Sequence, residues 1–327
     1  MNTRAFYRAI AIDGLTAPYN TATLKVYYPA LLAETEEHRN SGFLPADTSL
    51  APLPVVIMMP GINVGPQAYG WLAIALAERG IVTVTYSLVS EEIPGLVSLS
   101  PGIDLQHLKP EKFGKAPTAI ALAAIINELH KIQQNSVLKD LLALDNIILG
   151  GHSAGGTVAL LNGNPQWFPG LAGVFSYAAH TAAAKPLGWP DNSYLPTPSL
   201  LPTLILGGEN DGVIEGSQMR YGNSTDNTAS GKLEQTFQQS ISSARGDCHL
   251  AILAGANHFA IAYPEDNSTG RAFLDREQTR PAQQIRETLQ ETIGLFIESI
   301  RVNQVQQNLL PGYFTSHSAR FRLLASK

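Results

Sequence analysis

The sequence predicts an α/β fold, with a mostly parallel central sheet, an antiparallel N-terminal edge and helices on both faces. Three observations carry that expectation. Short apolar runs rich in β-branched residues alternate with helical periodicity along most of the chain. Two of them, residues 55–59 and 81–86, flank a helix at the spacing of a parallel strand–helix–strand crossover. A third, Asn146-Ile147-Ile148-Leu149, breaks into Gly150-Gly151-His152-Ser153-Ala154-Gly155-Gly156 and resumes as Thr157-Val158-Ala159-Leu160-Leu161. That pattern suits a buried strand, a tight turn and a helix.

Bulk properties narrow the class. With 44% hydrophobic and 15% charged residues, 327 residues can bury a large core, and one domain over 1–327 accounts for the length. The balance of 22 basic and 27 acidic residues gives a net charge of −5, spread without blocks, so nothing invites nucleic acid. Cys248 is the only cysteine, which excludes an intramolecular disulfide. Charge interrupts residues 1–8 where a signal peptide needs an apolar core, and no apolar run reaches the ~20 residues of a membrane span. The expectation is a soluble cytoplasmic protein with no membrane span and at most peripheral lipid contact.

The elements follow in order. Residues 7–12 and 23–28 alternate with period two around Asp13-Gly14 and Pro18-Tyr19-Asn20, an antiparallel pair at a sheet edge. Residues 31–53 are a polar surface excursion, and Glu34, Glu36 and Glu37 in it are solvated charge. Strand 55–59 ends at Pro60-Gly61-Ile62-Asn63, and a helix follows over about 66–79 with Gly80 as its stop. Residues 87–116 lack a clean period but carry Leu88, Leu96, Val97 and Leu99 among proline–glycine turns. A long, partly apolar loop at the end of a parallel strand suits the rim or lid of a pocket. Pro117 opens a helix with Leu122, Ile125, Ile126, Leu129 and Ile132 on its core face. Beyond the serine turn lie a strand at 170–177 and a second rim loop at 179–202, with five prolines, Trp189 and Tyr194. Residues 203–206 and 249–253 are the last two parallel strands. Between them, 221–231 is polar and turn-rich, and a helix starts near Lys232. The final long helix, about 281–301, sets Ile285, Leu289, Ile293, Phe296 and Ile300 on one face.

Chemistry centres on Ser153. A serine hydroxyl needs a base to take its proton, and the base needs a third group to hold its tautomer. Asp211 follows strand 203–206 and His258 follows strand 249–253, the positions that this arrangement requires. Glu209 is the rival acid, and Asp226 and Asp247 are less well placed. His152 packs beneath the turn, His180 lines a pocket and His249 is structural. His38, His107, His130 and His317 are surface or loop residues. An oxyanion formed in acyl transfer needs two N–H donors, offered by Ala154 after the serine and by Ile62 on the loop after strand 55–59. Asn63, His180 and Phe259 are the candidates for the substrate pocket. No His or Cys set has metal-ligand spacing, and no G-x-G-x-x-G follows a strand, so neither metal nor cofactor is expected.

The strand–Gly151-His152-Ser153-Ala154-Gly155–helix unit, with Asp211 and His258 after it, resembles the α/β-hydrolase superfamily over roughly residues 50–300. Met59-Pro60-Gly61, Trp71-Leu72-Ala73, Gly207-Gly208-Glu209-Asn210-Asp211 and Gly255-Ala256-Asn257-His258-Phe259 are similar to one branch of it. That branch includes dienelactone hydrolase-like proteins, platelet-activating-factor acetylhydrolases, cutinase-like polyester hydrolases and chlorophyllases. The chain departs from the polyester hydrolases in having a single cysteine where they carry a disulfide, and in that residues 1–8 give no expectation of a leader, and from the chlorophyllases in having Ala154 where they carry a basic residue. The resemblance implies a serine carboxylic-ester hydrolase acting through an acyl-enzyme on a small-molecule apolar ester, chlorophyllase-like or lipid-like. The alternatives are a polyester hydrolase, a peptidase or acyltransferase, and a non-catalytic ligand-binding relative.

Overall fold

In the computed structural model, residues 2–32, 34–221, 228–268, 270–301 and 309–327 are described. The chain forms β1 (Asn2–Ala11), β2 (Thr21–Ala30), α1 (Glu36–Ser41), β3 (Leu53–Met59), α2 (Gly70–Ala77), β4 (Val82–Ile93), β5 (Leu96–Ser100) and α3 (Leu122–Gln134). It continues through β6 (Leu142–His152), α4 (Ala154–Asn162), β7 (Leu171–Tyr177), β8 (Thr203–Gly208), α5 (Gly212–Glu215) and α6 (Ala229–Gln235). Last come β9 (Cys248–Leu253), α7 (Ala282–Arg301), α8 (Leu309–Ser316) and β10 (Phe321–Ser326).

One mixed sheet runs through these strands in the order β1-β2-β4-β3-β6-β7-β8-β9-β10, with β5 attached to β4. Its central strands, β4 through β9 along that path, are parallel. Strands β1, β2, β5 and β10 pair antiparallel. The expected α/β class and antiparallel N-terminal edge are therefore present. Strand β3 is buried along its whole length, and its side chains split between two cores. Val55, Ile57 and Met59 pack with Leu122 and Ile125 of α3 and Val158 of α4. Val56 and Met58 pack with Leu72 of α2, Leu289 and Phe296 of α7 and Phe314 of α8. Helices on both faces explain why this strand is a continuous apolar run rather than an alternating one. Among the described residues no helix is long and apolar enough to cross a membrane.

Four expectations need correction. The segment after residue 86 does not leave the sheet as a loop. Strand β4 continues to Ile93 and folds back as β5, with Leu88 opposite Ser100 and Val89 opposite Leu99. The helix expected from Pro117 begins at Leu122. Residues 117–121 are held as a turn, in which the Thr118 N–H donates to Asn162 Oδ1 (2.8 Å) and the Asp104 N–H to the Thr118 carbonyl (2.9 Å). The helix expected over 66–79 starts as a 3-10 turn, Pro66–Tyr69, before α2. Finally, α8 and β10 lie beyond the last expected element, and β10 adds an antiparallel edge to β9.

Candidate active site

Strands β3 and β6 are neighbours, yet the helices after them lie on opposite faces, α2 on one and α4 on the other. Such a switch point leaves a crevice at the carboxyl ends of the strands, where ligands bind in open α/β sheets. Ser153 stands there, between β6 and α4. Its backbone has φ 53° and ψ −123°, a conformation that costs an L-residue of order 1–3 kcal/mol and concentrates at functional sites. The flanking glycines make the turn feasible. A Cβ on Gly155 would run into the main-chain carbonyls of Met59 and Pro60, and one on Gly151 into that of Gly155.

The loops after β8 and β9 bring the other two groups to the serine. His258 Nε2 lies 3.0 Å from Ser153 Oγ, and His258 Nδ1 lies 2.8 Å from Asp211 Oδ2. Asp211 and His258 are almost fully enclosed. The second oxygen of Asp211 accepts the Ile214 N–H (2.8 Å) at the start of α5, so the carboxylate cannot turn away. With Nδ1–H donating to the carboxylate, Nε2 is left to accept the serine proton. The rival acid Glu209 instead accepts the Gly255 N–H (2.9 Å), Asp247 pairs with Arg245, and Asp226 lies outside the described residues.

The loop after β3 assigns its N–H groups by elimination. Gly61 donates to the Tyr69 hydroxyl (3.0 Å), Asn63 to the Leu99 carbonyl (2.9 Å) and Val64 to the Gly61 carbonyl (3.1 Å). Ile62 N–H has no protein acceptor among the described residues, and Ala154 N–H opens α4, where first-turn donors lack a partner in the helix. Both residues line the cavity with Ser153. Asn63, Phe259 and His180 line it too. The Asn63 side chain is engaged, since its Oδ1 accepts the Leu99 N–H (3.0 Å) and staples the β4–β5 hairpin to this loop. Phe259 sets its edge against His258, with centroids 5.1 Å apart. Trp189, expected at the rim, joins the two rim segments rather than lining the cavity. Its ring N–H donates to the Leu108 carbonyl (2.7 Å) and it meets Phe113 edge-on, so the two rim loops hold each other.

A comparison with protein-family models finds no match for this chain, and one with curated proteins finds none either.

Two further side chains support the site: Asp275, which carries no signature in the sequence, and His152, which lies beneath the turn as expected. Asp275 bridges the acid and base loops. Its Oδ1 accepts the N–H groups of Gly212 (3.0 Å) and His258 (3.2 Å), and its Oδ2 accepts that of Phe259 (3.1 Å). Burial, helped by the charge of Asp211, pushes its pKa up, against the pull of the His258 ring and of the Gly212 and His258 N–H groups. In Asp275→Asn one oxygen becomes an NH2 that cannot accept. The variant is expected to loosen the His258 loop without unfolding the chain, read as faster amide hydrogen exchange at the Gly212, His258 and Phe259 N–H groups beside an unchanged far-UV spectrum.

The second support is His152. Its Nε2 meets the His258 carbonyl (3.0 Å), which only accepts, so Nε2 carries the proton and Nδ1 accepts from the Tyr69 hydroxyl (2.9 Å). The chain Gly61–Tyr69–His152–His258 therefore ties the loop after β3 to the base loop beneath the serine. It requires a neutral imidazole, and burial holds His152 well below the ordinary histidine pKa.

His180 is likewise held to about 4 by burial, helped by the charge of Lys232. Below about pH 6.5 the unfolded chain takes up protons at both histidines that the folded chain refuses, so stability falls as pH drops towards 4. For His180 the full span is on the order of 3 kcal/mol. Urea midpoints at pH 7 and pH 4.5 should separate strongly in the wild type, and less in His180→Gln.

Proposed function

We propose that this protein is a serine carboxylic-ester hydrolase with the α/β-hydrolase fold. The observation that carries the reading is Ser153 Oγ at 3.0 Å from an imidazole whose other nitrogen is 2.8 Å from a buried carboxylate, with the serine on a strained strand-to-helix turn. A mostly parallel sheet with that turn at the carboxyl end of a central strand supports the fold assignment.

In this mechanism the substrate's acyl carbon is attacked by Ser153 Oγ as its proton passes to His258 Nε2. Asp211 holds the ring and balances the imidazolium. The oxyanion is bound by the N–H groups of Ile62 and Ala154, donors whose individual loss typically costs on the order of a hundredfold in turnover. His258 returns the proton to the departing alcohol, and the same base then activates water to release the acid. No cofactor enters these steps.

The cavity, about 340 Å³, is near the lower end of the roughly 300–1,000 Å³ range for small-molecule sites. Ile62, Val64, Leu96, Ala178 and Ala179 contribute apolar wall, which suits a compact apolar acyl or alcohol group. A cytoplasmic setting suits the one free, buried thiol, Cys248.

Nitrophenyl esters of increasing chain length test the reading. A burst of nitrophenol stoichiometric with protein, followed by slower turnover, is the expected result. Absence of hydrolysis across the panel would contradict it. Added methanol that captures the acyl group in place of water would point to acyl transfer instead.

A further inference from the structure

Two arginines line the same cavity as Ser153. Arg220 ends the 3-10 turn Gln218–Arg220 that follows α5, and Arg271 precedes the 3-10 turn Ala272–Leu274 beyond the His258 loop. Arg271 is partly buried and donates to Ser217 Oγ (2.8 Å), which ties the two segments together. The positive field of Arg220 adds to burial in lowering the Arg271 pKa.

The arginine that bridges α2 and α7 shows the contrast. Arg79 is also partly buried, and it is met by both Glu291 and Glu298. Among the described residues no carboxylate lies within ion-pair distance of Arg220 or Arg271. Asp211, whose charge reaches Arg271, is committed to His258 and the Ile214 N–H. Arg220 is exposed and Arg271 partly buried, and a partly buried positive charge that no counter-charge meets is costly. A planar guanidinium is also the group that grips a carboxylate or phosphate through paired hydrogen bonds.

We propose that Arg220 and Arg271 form an anion subsite of this pocket, so that the ester cleaved at Ser153 carries a carboxylate or phosphate on the part of the molecule remote from the scissile carbonyl. The apolar wall at Ile62 and Leu96 then takes the rest of the substrate. The inference rests on the esterase reading for its substrate but not for its binding site, and the test keeps the two apart.

Turnover is compared for monoethyl adipate, which bears a free carboxylate, and diethyl adipate, its neutral counterpart. The ratio of kcat/KM for the monoester to that for the diester should fall roughly ten- to a hundredfold in Arg271→Gln, mainly through KM, and recover in part in Arg271→Lys. Calorimetric titration of Ser153→Ala with adipate and, separately, with inorganic phosphate reads binding without chemistry. Arginine-dependent binding of either anion supports the subsite and says which anion it takes. If anions bind but no ester is turned over, the hydrolase reading fails and the subsite stands. If the diester is hydrolysed, the ratio is unchanged and neither anion binds, the subsite is overturned and the hydrolase reading stands. Should Arg271→Gln not fold, the exposed Arg220→Gln carries the same comparison.

Discussion

Ser153→Ala is expected to lower kcat by on the order of 10⁴- to 10⁶-fold while leaving the fold intact. The alanine removes only Oγ, whose partner is His258 Nε2 at 3.0 Å. The backbone strain is no better suited to Ala than to Ser, so stability should change little. Residual activity reflects the two N–H donors and substrate positioning, which the substitution leaves in place. Substrate affinity should be close to that of the wild type, so the loss appears in kcat. A fall of less than tenfold would mean that another nucleophile does the work.

The second large effect is expected from Asp211→Asn, at about 10⁴-fold in kcat near neutral pH. The two carboxylate oxygens have separate duties here. Oδ1 accepts the Ile214 N–H at 2.8 Å, and Oδ2 faces His258 Nδ1 at 2.8 Å. In the asparagine variant the remaining oxygen stays with the Ile214 N–H, since an NH2 cannot accept it. The amide NH2 then faces Nδ1 and donates to it. His258 must carry its proton on Nε2, aimed at Ser153 Oγ, and cannot act as base. The geometry survives and the tautomer is wrong, so a structure of the variant should overlay on the wild type while turnover collapses. An activity within tenfold of the wild type would show that Asp211 does not set the tautomer.

The parts of the fold that were legible in the sequence are those with a strong period or a steric demand. Strand β3 reads as a strand because both of its faces are buried, and β1 with β2 because one side alternates. The serine turn reads from its glycines, of which Gly151 and Gly155 have main-chain carbonyls where a Cβ would sit. Ser153, Asp211 and His258 could be named because each lies on the turn or loop after a strand, and the structure brings those three side chains together. What was illegible depends on partners distant in sequence. Strand β10 exposes much of its surface and is defined by pairing with β9. Strand β5 contains no buried apolar run, and its place is set by β4 and by the Asn63 staple. Asp275 looks like an ordinary loop carboxylate until Gly212, His258 and Phe259 turn their N–H groups toward it. The pairing of Arg220 with Arg271, 51 positions apart by subtraction, has no local signature either.

The most direct test of the central claim is the reactivity of one oxygen atom. Treated with a fluorophosphonate, the protein should take up a single equivalent, and peptide mass mapping should place the adduct on Ser153. His258→Ala should abolish the uptake without unfolding the chain. A wild-type protein that stays unlabelled, or that carries the adduct on a different residue, would contradict the account.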